Sequence, residues 1–280
     1  MSWLSAIFLA LIAGVTEILP VSGTGHLYLF EKILGLSSSS ADLRAFRGML
    51  YLGAAMALIL YYRGAVLAML REFFVVIGAS RPVRRQRGVP FFRRLQFLML
   101  IASVPMLAGL FLTGLLDRID RGDYTLIFVS VFLFLNGALL FFAGRSAKGK
   151  RDLTQATLSD ALCLGAAQIL SVFPGLSRSG LTLSAGLTRG MDGGSAMELS
   201  GLMGIPVFLF SGIRQLIVTG GAERTLSVWL MLAGFFMTAA VGLVTLRIVS
   251  DKFFHRRPTG FAFWCWGAGI LSFIVFLLSA

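Results

Sequence analysis

"LPVSGTGHL", residues 19–27, breaks an apolar N-terminal segment with a proline, two glycines and several polar side chains. A second stretch, "FPGLSRSGLTL" (173–183), breaks another apolar segment in a similar way. Each runs from a proline through one or two residues to Ser-x-Thr/Ser-Gly and then into an apolar stretch. Non-helical backbone at membrane depth is tolerated only where protein buries it or where it lines a wet cavity. We therefore expect the two breaks to contact each other.

The composition around these breaks is that of a membrane protein. The chain has 280 residues, of which 57% are hydrophobic and only 14% charged, whereas soluble domains carry about 25% charge. We predict an all-α polytopic protein with a single membrane domain, residues 1–280. Since a span needs about 20 apolar residues, six stretches are candidates: 44–62, 95–116, 124–143, 197–217, 226–249 and 259–279. The stretch 64–79 either continues the first span or forms a helix that lies at the membrane interface.

The net charge of +12 resides in short loops between the apolar stretches. The positive-inside rule places basic loops in the cytoplasm, and such loops also attract anionic lipid. This pattern indicates a membrane partner and no nucleic acid. The basic loops are 81–94, 144–151 and 251–258, and the nearly balanced loops assigned to the outside are 117–123 and 220–224.

Each broken segment is followed by three spans, which indicates an internal repeat. The first copy covers residues 1–143 and the second covers residues 152–280. Three is an odd number, so the second copy is expected to be inverted in the membrane relative to the first. Inverted repeats whose broken helices meet near the midplane are a known design for a binding site.

The second break has the residues of an anion site. Pro174 and Gly175 end one helix, and the start of the next offers free N–H groups and a partial positive charge. Arg178 adds a planar fork that matches phosphate oxygens, and an arginine at this depth indicates function. The alternative is that Arg178 snorkels or pairs with Glu17 for structure alone. The phosphate-binding candidates around it, with Thr182 placed in the first helical turn, are Ser177, Ser179, Gly180 and Thr182.

The first break adds groups that could carry out acid–base chemistry. Glu17 precedes it by one turn and is a candidate general base, metal ligand or ion-pair partner of Arg178; the metal would be Mg²⁺ or Ca²⁺. His26 titrates near neutral pH and could transfer a proton. Ser22 and Thr24 supply hydroxyls that Glu17 or His26 could activate, as could a water molecule. Together the two breaks predict a site for a phosphate-bearing molecule, and the apolar surroundings favour a lipid over a water-soluble phosphate.

At these residues the chain resembles the undecaprenyl-diphosphate phosphatase family, also called bacitracin-resistance proteins. The resemblance runs from "GVTEILPVSGTGHL" (14–27) through "FPGLSRSGLTLSAGL" (173–187) to the last span. It implies an inverted repeat of six transmembrane helices and two re-entrant helical hairpins in the bacterial cytoplasmic (inner) membrane. It also implies a substrate cavity that opens toward the outer side and removal of one phosphate from undecaprenyl diphosphate, the carrier lipid of wall synthesis. A homodimer is a further expectation. By matching motif positions the site residues are Glu17, Ser22, Thr24, His26, Ser177, Arg178, Ser179 and Thr182.

Four positions depart from the family pattern, all of them in the first repeat. Ala13 stands where the family usually has Glu or Gln, and Gly23 replaces a serine that some mechanisms make the nucleophile. Arg47 and Tyr51, in "FRGMLYLG", replace an acid and a glutamine. The leading interpretation is a phosphatase in which Arg178 clamps phosphate, Glu17 is base or metal ligand, and His26 is acid/base. The alternative, favoured by the missing carboxylate and serine, is a catalytically impaired relative that binds or translocates a polyprenyl-phosphate lipid.

Overall fold

The computed structural model describes residues 1–78, 94–102, 124–146, 149–221, 225–252 and 258–279. Within these ranges the protein is helical, and its one β contact is an isolated bridge between Arg151 and Met191. Residues 94–102 are also helical. The named helices, in chain order, are α1 Trp3–Thr16, α2 Gly23–Ile33, α3 Ala41–Tyr61, α4 Arg63–Val76, α5 Thr125–Ser146, α6 Leu158–Ile169, α7 Arg178–Thr188, α8 Gly193–Val218, α9 Val228–Lys252 and α10 Thr259–Ser279.

Five of these helices are long and apolar enough to cross a membrane: α3, α5, α8, α9 and α10. They match five of the six predicted spans by length and composition, which indicates a multi-pass membrane protein. The other predicted span, 95–116, starts in the helical residues 94–102, and its remainder lies outside the described residues. Most of the predicted loops 81–94, 117–123 and 251–258 also lies outside them.

Helix α4 is separate from α3. Tyr62 leaves helical geometry at φ −91° and ψ 22° and serves as the junction between the two helices. Helix α4 has 14 residues, a length of about 21 Å, against a hydrocarbon core of about 30 Å. The stretch 64–79 therefore does not extend the first span as one continuous helix, and it is too short to form a span of its own.

Two pairs of short helices surround the predicted breaks, and we call them the first broken pair (α1–α2) and the second broken pair (α6–α7). The second member of each pair has 11 residues and begins after a serine cap. Ser22 Oγ accepts a hydrogen bond from the Gly25 amide at 3.2 Å, and Ser177 Oγ accepts one from the Gly180 amide at 3.0 Å. Serine is a favoured N-cap because its oxygen satisfies an amide that the helix leaves free. The same Ser-x-x-Gly sequence thus starts both helices.

The spanning helices bring the two broken pairs together. Helix α3 packs against α1, α8 and α9, while α5 packs against α2, α7 and α10. Small residues permit close approach of membrane helices: a Cβ atom at Gly53 of α3 would lie 2.5 Å from the Phe235 carbonyl oxygen of α9. Because α5 contacts the second helix of both broken pairs, the two breaks lie side by side.

Ion pairs hold the far ends of α2 and α7. In the first broken pair, Arg47 Nε lies 3.2 Å from Glu31 Oε1, and both side chains are buried. In the second, Asp160 receives Arg189 Nε at 2.8 Å and Arg151 at 2.6 Å. Arg189 is the C-cap residue of α7. Each broken pair is therefore fixed at the end of the helix that starts at its break.

Candidate functional site

The two breaks are in direct contact, as the sequence predicts. Ser179 Oγ, at the start of α7, donates a hydrogen bond to the Leu19 carbonyl oxygen at 3.0 Å. A Cβ atom at Gly25 would lie 3.1 Å from Gly175 Cα, so the backbones touch where both residues are glycine. These contacts confirm that each break is buried by the other.

Asn136 of α5 bridges the two breaks. Its Nδ2 donates to the Pro20 carbonyl oxygen at 3.1 Å, and its Oδ1 accepts from the Ser177 amide at 3.1 Å. Nδ2 also contacts Cys265 Sγ of α10 at 3.2 Å. Asn136 was not among the predicted site residues, although an asparagine within the apolar span 124–143 is a usable signal.

Arg178 is held by a notch in α8. Its Nη1 donates to the Ser200 carbonyl oxygen at 2.8 Å, and its guanidinium carbon lies 4.7 Å from the centre of the Phe208 ring. A Cβ atom at Gly204 would lie 2.5 Å from Nη2, so the missing side chain of Gly204 makes room for the guanidinium. Arg178 is buried, and its Nε has no hydrogen-bond partner. The arginine is thus oriented by α8 while one donor remains available.

Glu17, which caps the C-terminus of α1, lies close enough to Arg178 for their charges to interact. The carboxylate is buried, its Oε1 has no hydrogen-bond partner, and its charge and that of Arg178 attract each other. The two side chains do not form a direct ion pair among the described contacts. A Cβ atom at Gly23 would lie 2.6 Å from Glu17 Cγ and closer still to its carboxyl group. The carboxylate therefore occupies the space that a side chain at position 23 would need.

The hydroxyls near this carboxylate and arginine mostly bind backbone. Ser22 and Ser177 cap their helices, and Ser177 Oγ also lies 3.1 Å from Ser179 Oγ. Thr24 Oγ1 lies 3.4 Å from Ser22 Oγ. Thr182 lies in the second turn of α7 rather than in the predicted first turn; its Oγ1 donates to the Arg178 carbonyl oxygen at 2.9 Å and lies 2.6 Å from Ser200 Oγ.

Both ring nitrogens of His26 are engaged. Nδ1 lies 2.7 Å from the Ser22 carbonyl oxygen, and Nε2 accepts a hydrogen bond from Trp264 Nε1 at 2.9 Å. Because an indole N–H only donates, Nε2 carries no proton and Nδ1 is the donor to Ser22, which defines a neutral imidazole. His26 thereby ties the first break to α10. Both ring nitrogens are engaged in this arrangement, and the acid/base role predicted for His26 stays a prediction.

The four positions that depart from the family pattern have structural partners of their own. Ala13 is fully buried in an apolar cluster with Leu9, Leu27 and Phe46. Arg47 turns toward Glu31 at the far end of α2. Tyr51 stacks on Phe208, with ring centres 6.2 Å apart, and so supports the ring that contacts Arg178. Gly23 accommodates Glu17. Each of these four residues therefore fits the residues that surround it in the structure.

A metal ion at this site would depend on Glu17. Among the described residues, no group of three or more His, Cys, Asp or Glu side chains is arranged to hold a metal ion. Magnesium is commonly bound through one or two carboxylates together with substrate phosphates. The unpartnered Glu17 Oε1 fits that pattern as a single protein ligand.

Known proteins resemble this chain over nearly its whole length. The family model described as "Bacitracin resistance protein BacA" matches residues 6–271. "Undecaprenyl-diphosphatase" of Methanobrevibacter smithii is 30% identical over 278 residues, which cover 98% of each chain. "Undecaprenyl-diphosphatase 2" of Burkholderia thailandensis is 32% identical, covering 98% of this chain and 97% of the relative. "Undecaprenyl-diphosphatase 3" of Bacillus cereus is 29% identical, covering 97% and 96%. With nearly its whole length matched, the chain belongs to the bacitracin-resistance protein BacA family.

Proposed function

We propose that this protein is an integral-membrane undecaprenyl-diphosphate phosphatase, which hydrolyses the terminal phosphate of the carrier lipid and recycles it for cell-wall synthesis. The observation that carries this proposal is a pair of buried and unpartnered atoms of opposite charge, Glu17 Oε1 and Arg178 Nε, near the contact between the two helix breaks. A buried charged atom that lacks a hydrogen-bond partner costs free energy. The two atoms therefore indicate a ligand that pairs with them when it is bound. The three relatives described above all carry the name undecaprenyl-diphosphatase.

The site has the parts that phosphoryl transfer requires. Arg178 and the N-termini of α2 and α7 present positive charge and free amides, which stabilise the negative charge of a diphosphate. Glu17 supplies a buried carboxylate that can act as a base. Phosphoryl transfer depends mainly on positioning and electrostatic stabilisation, and here the fold fixes both charged groups in a water-poor interior.

The membrane topology that we propose has six spans and two re-entrant hairpins, arranged as an inverted repeat of residues 1–143 and 152–280. The matched Ser-x-x-Gly caps of α2 and α7 support the repeat, as does the contact of both helices with α5. We place the protein in the bacterial inner membrane with its cavity open to the outer side. A homodimer is part of the same proposal, and native mass spectrometry would test it.

As the alternative to a base role for Glu17, we also propose that a Mg²⁺ or Ca²⁺ ion, where one is bound, is held by Glu17 Oε1 and the diphosphate oxygens. Such an ion neutralises phosphate charge. Phosphate release in EDTA, followed by titration of each ion, tests this assignment. Activity that is unaffected by EDTA would exclude it.

The decisive experiment measures inorganic phosphate released from undecaprenyl diphosphate by the purified full-length protein. We expect release by the wild type and a loss of about 10³-fold in Arg178→Ala, the order seen when transition-state donors are removed. Arg145→Ala is the matched control, because Arg145 is exposed at the end of α5 and contacts Phe141. No release by the wild type, together with translocation of the lipid in proteoliposomes, would instead support the non-hydrolytic alternative.

A further inference from the structure

We infer that the terminal phosphate is displaced by a water molecule held against Glu17, without a phosphorylated serine or threonine on the protein. This inference rests on the proposed phosphatase function and specifies its nucleophile. It follows from what each candidate nucleophile and base near Arg178 already contacts.

Position 23, the first residue of α2, cannot supply the nucleophile. The Glu17 side chain lies where a Cβ atom at Gly23 would be placed. A side chain there would require the flexible carboxyl end of Glu17 to move. Glycine itself offers no hydroxyl, so position 23 supplies space for Glu17 and no nucleophile.

The other hydroxyls are not bonded to a base. A hydroxyl nucleophile needs a base within hydrogen-bond reach. Ser22 Oγ accepts from the Gly25 amide, and Ser179 Oγ donates to the Leu19 carbonyl oxygen. Thr24 contacts only Ser22 Oγ among the hydrogen bonds described for it. In the described part of the chain, none of these hydroxyls is hydrogen-bonded to Glu17 or to a ring nitrogen of His26.

Glu17 is the remaining base, because both ring nitrogens of His26 are occupied by Ser22 and Trp264. Glu17 Oε1 is buried and unpartnered, and Arg178 attracts its charge. A carboxylate oxygen accepts hydrogen bonds readily, so a water molecule fits between Glu17 and a phosphate bound by Arg178. In-line displacement then requires the leaving oxygen to lie on the side of the terminal phosphorus away from that water.

The step conserves atoms and charge. The water oxygen forms a bond to the terminal phosphorus while one water proton passes to Glu17 Oε1. The bond from that phosphorus to the bridging oxygen breaks, and the bridging oxygen departs with the electron pair as part of undecaprenyl phosphate. Arg178 stabilises the charge that develops on the phosphate oxygens. Glu17 then returns its proton to solvent, which leaves inorganic phosphate and undecaprenyl phosphate as products.

Stereochemistry tests this step directly. The substrate is undecaprenyl diphosphate whose terminal phosphorus is made chiral with sulfur and heavy oxygen isotopes, hydrolysed by the wild-type protein in isotopically labelled water. Attack by water in one displacement gives inversion, whereas a phosphorylated protein intermediate gives retention through two displacements. A parallel acid quench with radiolabelled terminal phosphate is expected to leave the protein unlabelled during a single turnover.

The outcomes separate the inference from the proposed function. Retention, or acid-stable label on Ser22 or Thr24 that forms and decays as fast as phosphate appears, would overturn water attack and leave the phosphatase intact. No phosphate release by the wild type would overturn both. Glu17→Gln, which keeps the shape of the side chain, is expected to lose about 10²- to 10⁴-fold in rate with an unchanged melting temperature. Full activity in that folded variant would also exclude Glu17 as the base.

Discussion

The two helix breaks share one cap and differ in the residue that follows it. Both helices begin after a serine that accepts from the amide three residues on, in Ser22–Gly25 and in Ser177–Gly180. The next residue is Gly23 in the first break and Arg178 in the second. Arg178 extends its own charge into the site, whereas Gly23 leaves space that Glu17 fills from the preceding helix. The same backbone motif in the two breaks can therefore bring a negative charge, Glu17, near a positive charge, Arg178.

The breaks also differ in where their backbone is strained. Ser22 adopts φ 71°, a left-handed conformation that a residue with a side chain rarely adopts, whereas Ser177 is extended at φ −84°. Such a conformation costs about 1–3 kcal/mol. In the second break the left-handed residue is Gly175, at φ 104°. The hydrogen bond from His26 Nδ1 to the Ser22 carbonyl oxygen offsets this cost, which gives His26 a positioning role that has no counterpart in the second break.

Arg178→Gly would make the two breaks alike and should have the largest effect. We expect kcat/KM for phosphate release to fall about 10³-fold, since the guanidinium that stabilises developing charge is removed. Arg178→Lys keeps the charge but loses the planar fork, so its rate should lie between those of Arg178→Gly and the wild type. Activity of Arg178→Gly within tenfold of wild type would show that the helix N-termini suffice.

Gly23→Ala and Gly23→Ser add a side chain at the position after the cap where the first break has none. Each adds a Cβ atom where Glu17 lies, and displacement of a catalytic group by about 1 Å can cost about 10²-fold. We expect both variants to release phosphate about 10²-fold more slowly than wild type, and by similar factors. The alanine variant is the matched control for the hydroxyl. A serine variant faster than wild type would mean that a hydroxyl at position 23 can act as the nucleophile.

The features that could be predicted from the sequence are those that depend on local pattern. Five spans and the contact between the breaks follow from apolar length and from Pro, Gly and Ser placement. The contacts that orient Arg178 could not be predicted, because Ser200, Gly204 and Phe208 reach it only through the packing of α7 against α8. The indole of Trp264, 238 residues from His26, is likewise brought near only by tertiary packing.

Gly23 shows most clearly what could not be predicted from the sequence. In the sequence it is a missing serine, and it favours an impaired protein. In the structure, the absence of a side chain at Gly23 leaves the space that the Glu17 side chain occupies. The same residue therefore fits an intact site. Ala13 is a similar case. It lacks the carboxylate of the family pattern, and it packs in an apolar cluster with Leu9, Leu27 and Phe46. Taken alone, each of these two substitutions indicates a loss of function. Considered with the residues around it, each fits an intact site.

Asn136 links the two breaks, and its removal should lower stability more than catalytic chemistry. Asn136→Leu leaves the buried Pro20 carbonyl and Ser177 amide without their partner, and an unsatisfied buried group costs about 1–3 kcal/mol. We expect a lower melting temperature in detergent. Asn136→Asp retains an acceptor for Ser177 and loses the donor to Pro20, so it separates the two bonds. An unchanged melting temperature in Asn136→Leu would mean that the breaks hold together without the bridge.

The smallest effect that we predict concerns the ion pairs at the far ends of the two broken pairs. Burial raises the pKa of Asp160, but hydrogen bonds from Arg151, Arg189 and Thr157 outweigh burial and hold that pKa well below its usual range. A lowered pKa in the folded state contributes stability above the unfolded pKa of about 3.9, and this contribution is lost as the pH falls below that value. The Arg151 and Arg189 side chains are 33% and 39% exposed, so solvent weakens the pair.

Asp160→Asn should therefore lower the melting temperature by a constant amount between about pH 5 and pH 8, and by less below about pH 4. Thermal melts of both proteins across this range provide the measurement. Asp152→Asn is the control, since Asp152 caps the neighbouring turn through Thr154 and Gln155 and forms no ion pair with a described residue. A difference for Asp160→Asn that persists unchanged into acid would mean that hydrogen-bond geometry, rather than carboxylate charge, fixes the end of α7. The second broken pair would then be anchored by shape, in contrast to the buried Glu31–Arg47 ion pair of the first.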